Sequence, residues 1–204
     1  MDRLRKIFEK QRALMQSFHV IESSNSVGLI DIAGEGPHDI DDYGFQYAAK
    51  HYAWRVIEEV AELWDALNGI GEDSKSDELA DVLHFFVEVC LLLDIGPGTL
   101  VQKELKADED LLDAAWSCAT HDTYVTIEDM ILYFMIDLAR AMRHLKSNPW
   151  KQRRRTTDRA ALHVKLRESF VDFVNMCQIL DVSAEELYVA YTDKMDKNLE
   201  RLRA

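Results

Sequence analysis

Five carboxylates fall at helical spacing in two neighbouring stretches: Glu58, Glu59 and Glu62, then Glu78 and Asp81. Residues three or four apart share one face of a helix, so Glu59 points with Glu62, Glu58 lies beside Glu62, and Glu78 points with Asp81. Gly69 and Gly71 stand between the two stretches, and helices joined by so short a connector pack antiparallel. The acidic pairs are thereby turned toward each other, where they repel unless a cation lies among them. Hard oxygen donors in that number suit Mg²⁺, with Mn²⁺ as the alternative, rather than zinc. An ion held this way keeps open positions that commonly take phosphate oxygens.

The stretch carrying Asp81 sharpens the point. Leu79, Ala80, Val82, Leu83, Phe85, Phe86, Val87, Val89 and Leu91 to Leu93 surround its axis, and a helix apolar nearly all round is buried. Asp81, His84 and Glu88 form the one polar stripe on it. A buried carboxylate without compensation costs several kcal/mol or is driven neutral, and a metal with its waters would relieve that cost. Against this stands ordinary surface charge. Glu78 sits in a first turn, where the helix dipole favours acids whatever their function, and Glu58, Glu59 and Glu62 would suit a solvated face of an acidic protein.

The positioning elements are all helical. Apolar periodicity predicts helices from Asp2 to about His19, Phe45 to Asn68, Ser74 or Ser76 to Leu93, Ile127 to Leu145, Arg159 to Leu180 and Ala184 to Arg203. Ser183 and Glu186 form a capping box before the last helix. A short helix from Thr99 to Ala107 is expected, and Glu109 to Ala119 is ambiguous. Glu22 to Tyr43, with its serines, glycines and Asp39, Asp41 and Asp42, reads as a long loop. No strand is expected, and the chain reads as a single all-α domain over residues 1–204. Leu83 to Leu100 also aligns without a gap on Phe170 to Leu187, and the helix with Glu59, Ala61 and Leu67 on the one with Asp137, Ala139 and Leu145. This is either a degenerate duplication of a helical hairpin or chance likeness between amphipathic helices.

Composition narrows the function classes. The 204 residues carry 24 Lys+Arg against 37 Asp+Glu, a formal net charge of −13. Such a chain lacks the basic face that duplex nucleic acid requires. With 8 Gly and 3 Pro it has too few breakers for a turn-rich β sandwich. No apolar run is long enough to span a bilayer, and the first residues lead into an amphipathic pattern rather than a signal core. Cys90, Cys118 and Cys177 have no metal or disulfide spacing and read as reduced core residues, which places the expected site of action in the cytoplasm.

Glu58-Glu59-x-x-Glu62 followed by Glu78-x-x-Asp81 resembles the metal motif of the all-α nucleoside triphosphate pyrophosphohydrolases, which include MazG proteins, the dimeric dUTPases and the phage dCTPase/dUTPases. Glu78-Leu79-Ala80-Asp81-Val82-Leu83-His84-Phe85 is most similar to the dimeric dUTPase branch. Phe8 to Leu14, with Gln11, looks like its first helix. Ala184 to Tyr188, Tyr191, Lys194, Asn198 and Arg201 look like its closing helix. The phage members make a phage source acting in a host cytoplasm one reading of origin.

The resemblance implies a helical bundle of this type, cleavage between the α- and β-phosphates of a nucleotide, and a homodimer. Glu59, Glu62, Glu78 and Asp81 would hold Mg²⁺ or Mn²⁺, and Glu58 or Glu59 would orient or deprotonate the attacking water. Lys194, Asn198 and Arg201 would reach phosphates and sugar. Gln11, Gln16, Trp54, His84 and Phe85 are the candidates for the base pocket. Met195, Leu202 and Met15 stand where the dUTPase branch has Asn, Gln, and Asn or Asp. The base therefore stays open: a pyrimidine such as dUTP or dCTP, or a purine or modified nucleotide as in MazG-like house-cleaning enzymes. Two other readings are a non-catalytic bundle and a di-iron bundle, for which Asp81-x-x-His84 is one acid-x-x-His unit where two are usual.

Overall fold

The computed structural model describes residues 2–24, 39–71, 73–101, 109–119, 125–146, 148, 152–153 and 155–202. Among these there are eight helices and no strand: α1 (Arg3–Ser24), α2 (Tyr43–Leu67), α3 (Lys75–Leu92), α4 (Pro97–Leu100), α5 (Leu111–Cys118), α6 (Ile127–His144), α7 (Arg159–Ile179) and α8 (Ala184–Arg201). The all-α expectation holds. The first helix runs five residues beyond its predicted end, to Ser24, and the ambiguous 109–119 stretch is α5. The helix expected over 99–107 is the single turn α4, and 102–108 lie outside the described residues. So do 25–38 of the expected loop and the last predicted helical residue, 203.

Local chemistry sets these ends. Ser74, Thr126 and Ser183 each accept from the backbone N–H three residues on, and Asp77, Asp129 and Glu186 return the bond, giving three capping boxes. Asp42, Asp110 and Asp158 cap α2, α5 and α7 singly. After α2 the chain turns through Gly69 and Gly71 at φ 73° and 102°, a left-handed conformation that glycine takes without steric cost.

Helix α3 is the axis of the bundle. Leu79, Ala80, Val82, Leu83, Phe86, Val87, Val89 and Cys90 are wholly buried on it, against α2, α1 and α8. Contact pairs give the directions. Glu59 approaches Asp81 while Arg55 lies on Phe85, so α2 and α3 run antiparallel. Tyr191 stacks on His84 while Lys194 meets Asp81, so α8 is antiparallel to α3 as well. On the far side α6 packs on α7. Phe86, Phe134, Phe170 and Phe173 join the two hairpins, with ring centroids 5.9–6.3 Å apart. One cluster of buried side chains runs through all eight helices.

The internal repeat is visible in the backbone. Helices α3 and α7 both end on a leucine cap followed by an aspartate in the left-handed region, Asp94 at φ 57° and Asp181 at φ 55°. Ile95 N–H then reaches Cys90 C=O at 2.9 Å, and Val182 N–H reaches Cys177 C=O at 2.9 Å. A non-glycine residue there is uncommon, with Asp among the tolerated types. Two such turns at matched positions favour duplication over chance likeness. Cys90 and Cys177 are buried as expected, but Cys118, at the last turn of α5, is exposed and not a core residue.

Candidate active site

Helix α2 offers one side chain per turn to α3: Tyr52, Arg55, Glu59 and Glu62. Helix α3 answers with Asp81, His84, Phe85 and Glu88. Helix α1 contributes Gln11, Met15 and Phe18, and α8 lays Lys194, Asn198 and Arg201 along the side. These residues, with Leu14 and Asp73, line a cavity of about 440 Å³. The spacing of three or four residues explains the set, because each helix shows one face to the cavity.

Acids crowd one end. Single carboxylate oxygens of Glu59, Glu78 and Asp81 lie within 4.8 Å of one another. Burial pushes the Glu59 carboxyl up to about 7, helped by Asp81, Glu62 and Glu78, and Glu78 rises to about 7 through burial and then Asp81 and Glu62. Glu78 is only 4% exposed, and its Oε2 has no hydrogen-bond partner among the described residues. Burial raises Asp81 too, against the pull of Lys194, whose ammonium lies 2.5 Å from it. Asp73 stands 4.0 Å from Lys194. Oxygen donors in number, an orphaned buried oxygen and carboxyls that resist ionisation are what a hard divalent cation relieves, so the residues present fit Mg²⁺ or Mn²⁺.

The other end is a polar floor. Gln11, 1% exposed, accepts from the Tyr191 hydroxyl at 2.6 Å and from His84 Nδ1 at 2.6 Å, and donates to Glu88 Oε1 at 2.9 Å. His84 lies flat on Tyr191, ring centroids 4.1 Å apart. Burial, then repulsion by Lys194, lowers it to about 3, so it is a neutral imidazole carrying its proton on Nδ1. One buried network joins three helices, and His84 Nε2 has no partner among the described residues.

Most of the predicted residues meet here. Gln11, Glu59, Glu62, Asp81, His84, Phe85, Lys194, Asn198 and Arg201 share the cavity, and Glu78 joins through the carboxylate cluster. Trp54 and Glu58 do not. Trp54 is 57% exposed on the outer face of α2, and its indole N–H donates to Glu58 one turn on at 3.0 Å. The reason is the helical period: neighbours in sequence diverge by about 100°, so facing Glu59 inward turns Glu58 out. Gln16 is exposed as well. Sequence reasoning missed Arg55, Tyr52 and Asp73. Carrying the stripe back from Glu62 and Glu59 by the same step reaches Arg55 and Tyr52.

A sequence model of the dUTPase family matches residues 49–204. The chain belongs to the all-α dUTPase family. It is thus a nucleotide pyrophosphohydrolase by family, with the acidic cluster, Lys194, Asn198 and Arg201 inside the matched region. Helix α1, which carries Gln11, precedes that region. No curated protein and no solved structure matches the chain. No helix among the described residues is long and apolar enough to cross a membrane.

Proposed function

We propose that this dUTPase-family chain cleaves a pyrimidine deoxynucleoside triphosphate, dUTP before dCTP, to the monophosphate and pyrophosphate in a Mg²⁺-dependent reaction. The observation that carries the reading is the convergence of Glu59, Glu78 and Asp81 beside Lys194 in a cavity whose far end is a polar floor. Glu59, Glu62, Glu78 and Asp81 are the proposed ligands of Mg²⁺, which Mn²⁺ can replace. When bound, the ion neutralises phosphate charge and favours ionisation of water. Glu59, at the cavity wall, is the better of the two candidates to orient or deprotonate the attacking water, because Glu58 faces outward beside Trp54. Lys194, Asn198 and Arg201 bind phosphate oxygens, and phosphoryl transfer needs little beyond such positioning and charge neutralisation. Gln11, His84 and Phe85 form the nucleoside end.

Against a di-iron site stands the make-up of the cluster. The described metal-compatible group is carboxylate only, and Asp81-x-x-His84 is a single acid-x-x-His unit where such bundles usually have two. We also propose one domain and a homodimer, for which light scattering should give about twice 23.6 kDa. The deciding assay offers dUTP, dCTP, dTTP, dATP and dGTP with Mg²⁺ and separates pyrophosphate from orthophosphate. Pyrophosphate with the monophosphate from dUTP or dCTP is expected. Preference for a purine would point to the MazG-like alternative, and no turnover of any of the five would refute the reading.

A further inference from the structure

Arg55 brings a guanidinium into the acidic cavity. It lies over the Phe85 ring, Cζ 4.2 Å from the centroid, and it makes no hydrogen bond or ion pair among the described residues. Neighbouring cations behave otherwise: Lys194 is engaged with Asp81, and Arg201 donates to Asn198 at 3.3 Å. A guanidinium carries five donors in a planar fork that matches phosphate oxygens. Stacking on an aromatic ring orients that fork and leaves its N–H edge open.

Position along the helices says which phosphate. Arg55 is one turn before Glu59 on α2, and Phe85 one turn after Asp81 on α3, so both lie about 6 Å from the acids. That step leads toward Tyr52, Gln11 and Glu88. The stripe Lys194, Asn198, Arg201 runs the opposite way, because α8 is antiparallel to α3 and carries Tyr191 at the floor. A nucleotide with its base on the floor and its scissile bond at the acids must therefore pass its 5′-side past Arg55 and its leaving group past Arg201.

We infer that Arg55 is a substrate-binding residue that grips the phosphate retained in the monophosphate product, with Phe85 as the residue that positions it. The inference rests on the pyrophosphohydrolase reading above. Its test measures inhibition of wild-type dUTP hydrolysis by dUMP and by pyrophosphate, then repeats both for Arg55→Ala, Arg55→Lys, Phe85→Leu, Arg201→Ala and the Arg55→Ala/Phe85→Leu double variant.

Loss of a charge-assisted hydrogen bond predicts that Arg55→Ala raises the dUMP inhibition constant about tenfold or more. Its pyrophosphate constant should stay within about twofold, and Arg201→Ala should show the reverse pattern. Arg55→Lys keeps the charge without the fork and should recover only part of the dUMP affinity. Phe85→Leu should weaken dUMP in the wild-type background and add little to Arg55→Ala, because coupled neighbours are not additive. An unchanged dUMP constant in Arg55→Ala overturns the assignment while the hydrolase reading stands, as does an equal loss for both products. Fully additive effects of the two substitutions remove Phe85 from its role. A wild-type chain that cleaves no deoxynucleoside triphosphate removes the hydrolase reading, and this inference with it.

Discussion

The α2–α3 and α6–α7 hairpins have one backbone plan and different electrostatics, acidic in the first and balanced in the second. Where the first holds Glu59, Glu62, Glu78 and Asp81, the same offsets, carried back from Leu83 for the second helix, give the second Asp137, Arg140, Lys165 and Glu168. Two of four acids have become bases, and the second set pairs within itself. Arg140 reaches Asp137 at 2.8 Å, and Lys165 contacts both Asp137, at 3.5 Å, and Glu168. In α2–α3 no base stands among the four, and Lys194 comes from outside the hairpin. Similar hairpins can thus carry a site in need of a cation or one that supplies its own. Residue charge, not fold, makes the difference, and function must be argued from the site.

One acid spoils the symmetry. Asp172, aligned with Phe85, is pushed up to about 7 by burial and then by Asp137 and Glu168, and its Oδ2 has no partner among the described residues. The second hairpin thus has one carboxyl pushed up to about 7, while the first has two, Glu59 and Glu78.

The largest expected contrast is in turnover. Glu59→Gln or Asp81→Asn should lower kcat about a thousandfold or more, since each removes a group acting on the reacting phosphate. Circular dichroism should show unchanged helix content. The paired changes Asp137→Asn and Glu168→Gln should leave turnover within about twofold. Comparable losses from both hairpins would break the comparison.

Next in size is the pH dependence of stability. Glu59 and Glu78 have folded values near 7 against 4.5 for the free side chain. Below 4.5 both states are protonated. Between 4.5 and 7 the folded chain retains protons that the unfolded chain has released, so stability falls as pH rises through that window. In EDTA the wild-type Tm should fall relative to a Glu59→Gln/Glu78→Gln variant from pH 5 to 7.5. Mg²⁺ at pH 7.5 should return several degrees to the wild type and none to the variant, because only a bound ion shifts the native state. A pH-independent gap between the two would contradict the assigned cause.

The smallest effect belongs to the second hairpin. Asp172→Asn removes a carboxyl whose ionisation is costly only when folded. At pH 8 it should stabilise by about 1 kcal/mol, or ~2–4 °C in Tm for a chain of this size. The gain should shrink as pH falls and vanish near pH 3, below the 3.8 of the free side chain, where both states are protonated, and dUTP turnover at pH 8 should be unchanged. Stabilisation that persists in full at pH 3 would show that packing rather than charge is responsible.

Much of this was legible in the residues. Apolar periodicity and few breakers disclosed the long helices, and Ser183 with Glu186 marked an end correctly. The acidic pairs at i, i+3 showed which side chains meet, because helical geometry is local and rigid. Two things were not legible. Glu58 and Glu59 are equivalent in composition, and only the packing of α2 on α3 decides which faces the cavity. The Gln11–Tyr191–His84 network joins residues from three distant parts of the chain, so no window of sequence contains it. Arg55 lay between these cases: it is on the acidic stripe, but a search for acids passes over it.

On the proposed function, the acids of α2 and α3, and not their counterparts in α6 and α7, hold a divalent ion. Mn²⁺ titration followed by electron paramagnetic resonance measures this directly on wild type, Glu78→Gln and Glu168→Gln. Wild type and Glu168→Gln should bind Mn²⁺ alike, while Glu78→Gln should lose about tenfold or more in affinity. Unaltered binding by Glu78→Gln, or its loss in Glu168→Gln, would contradict the account.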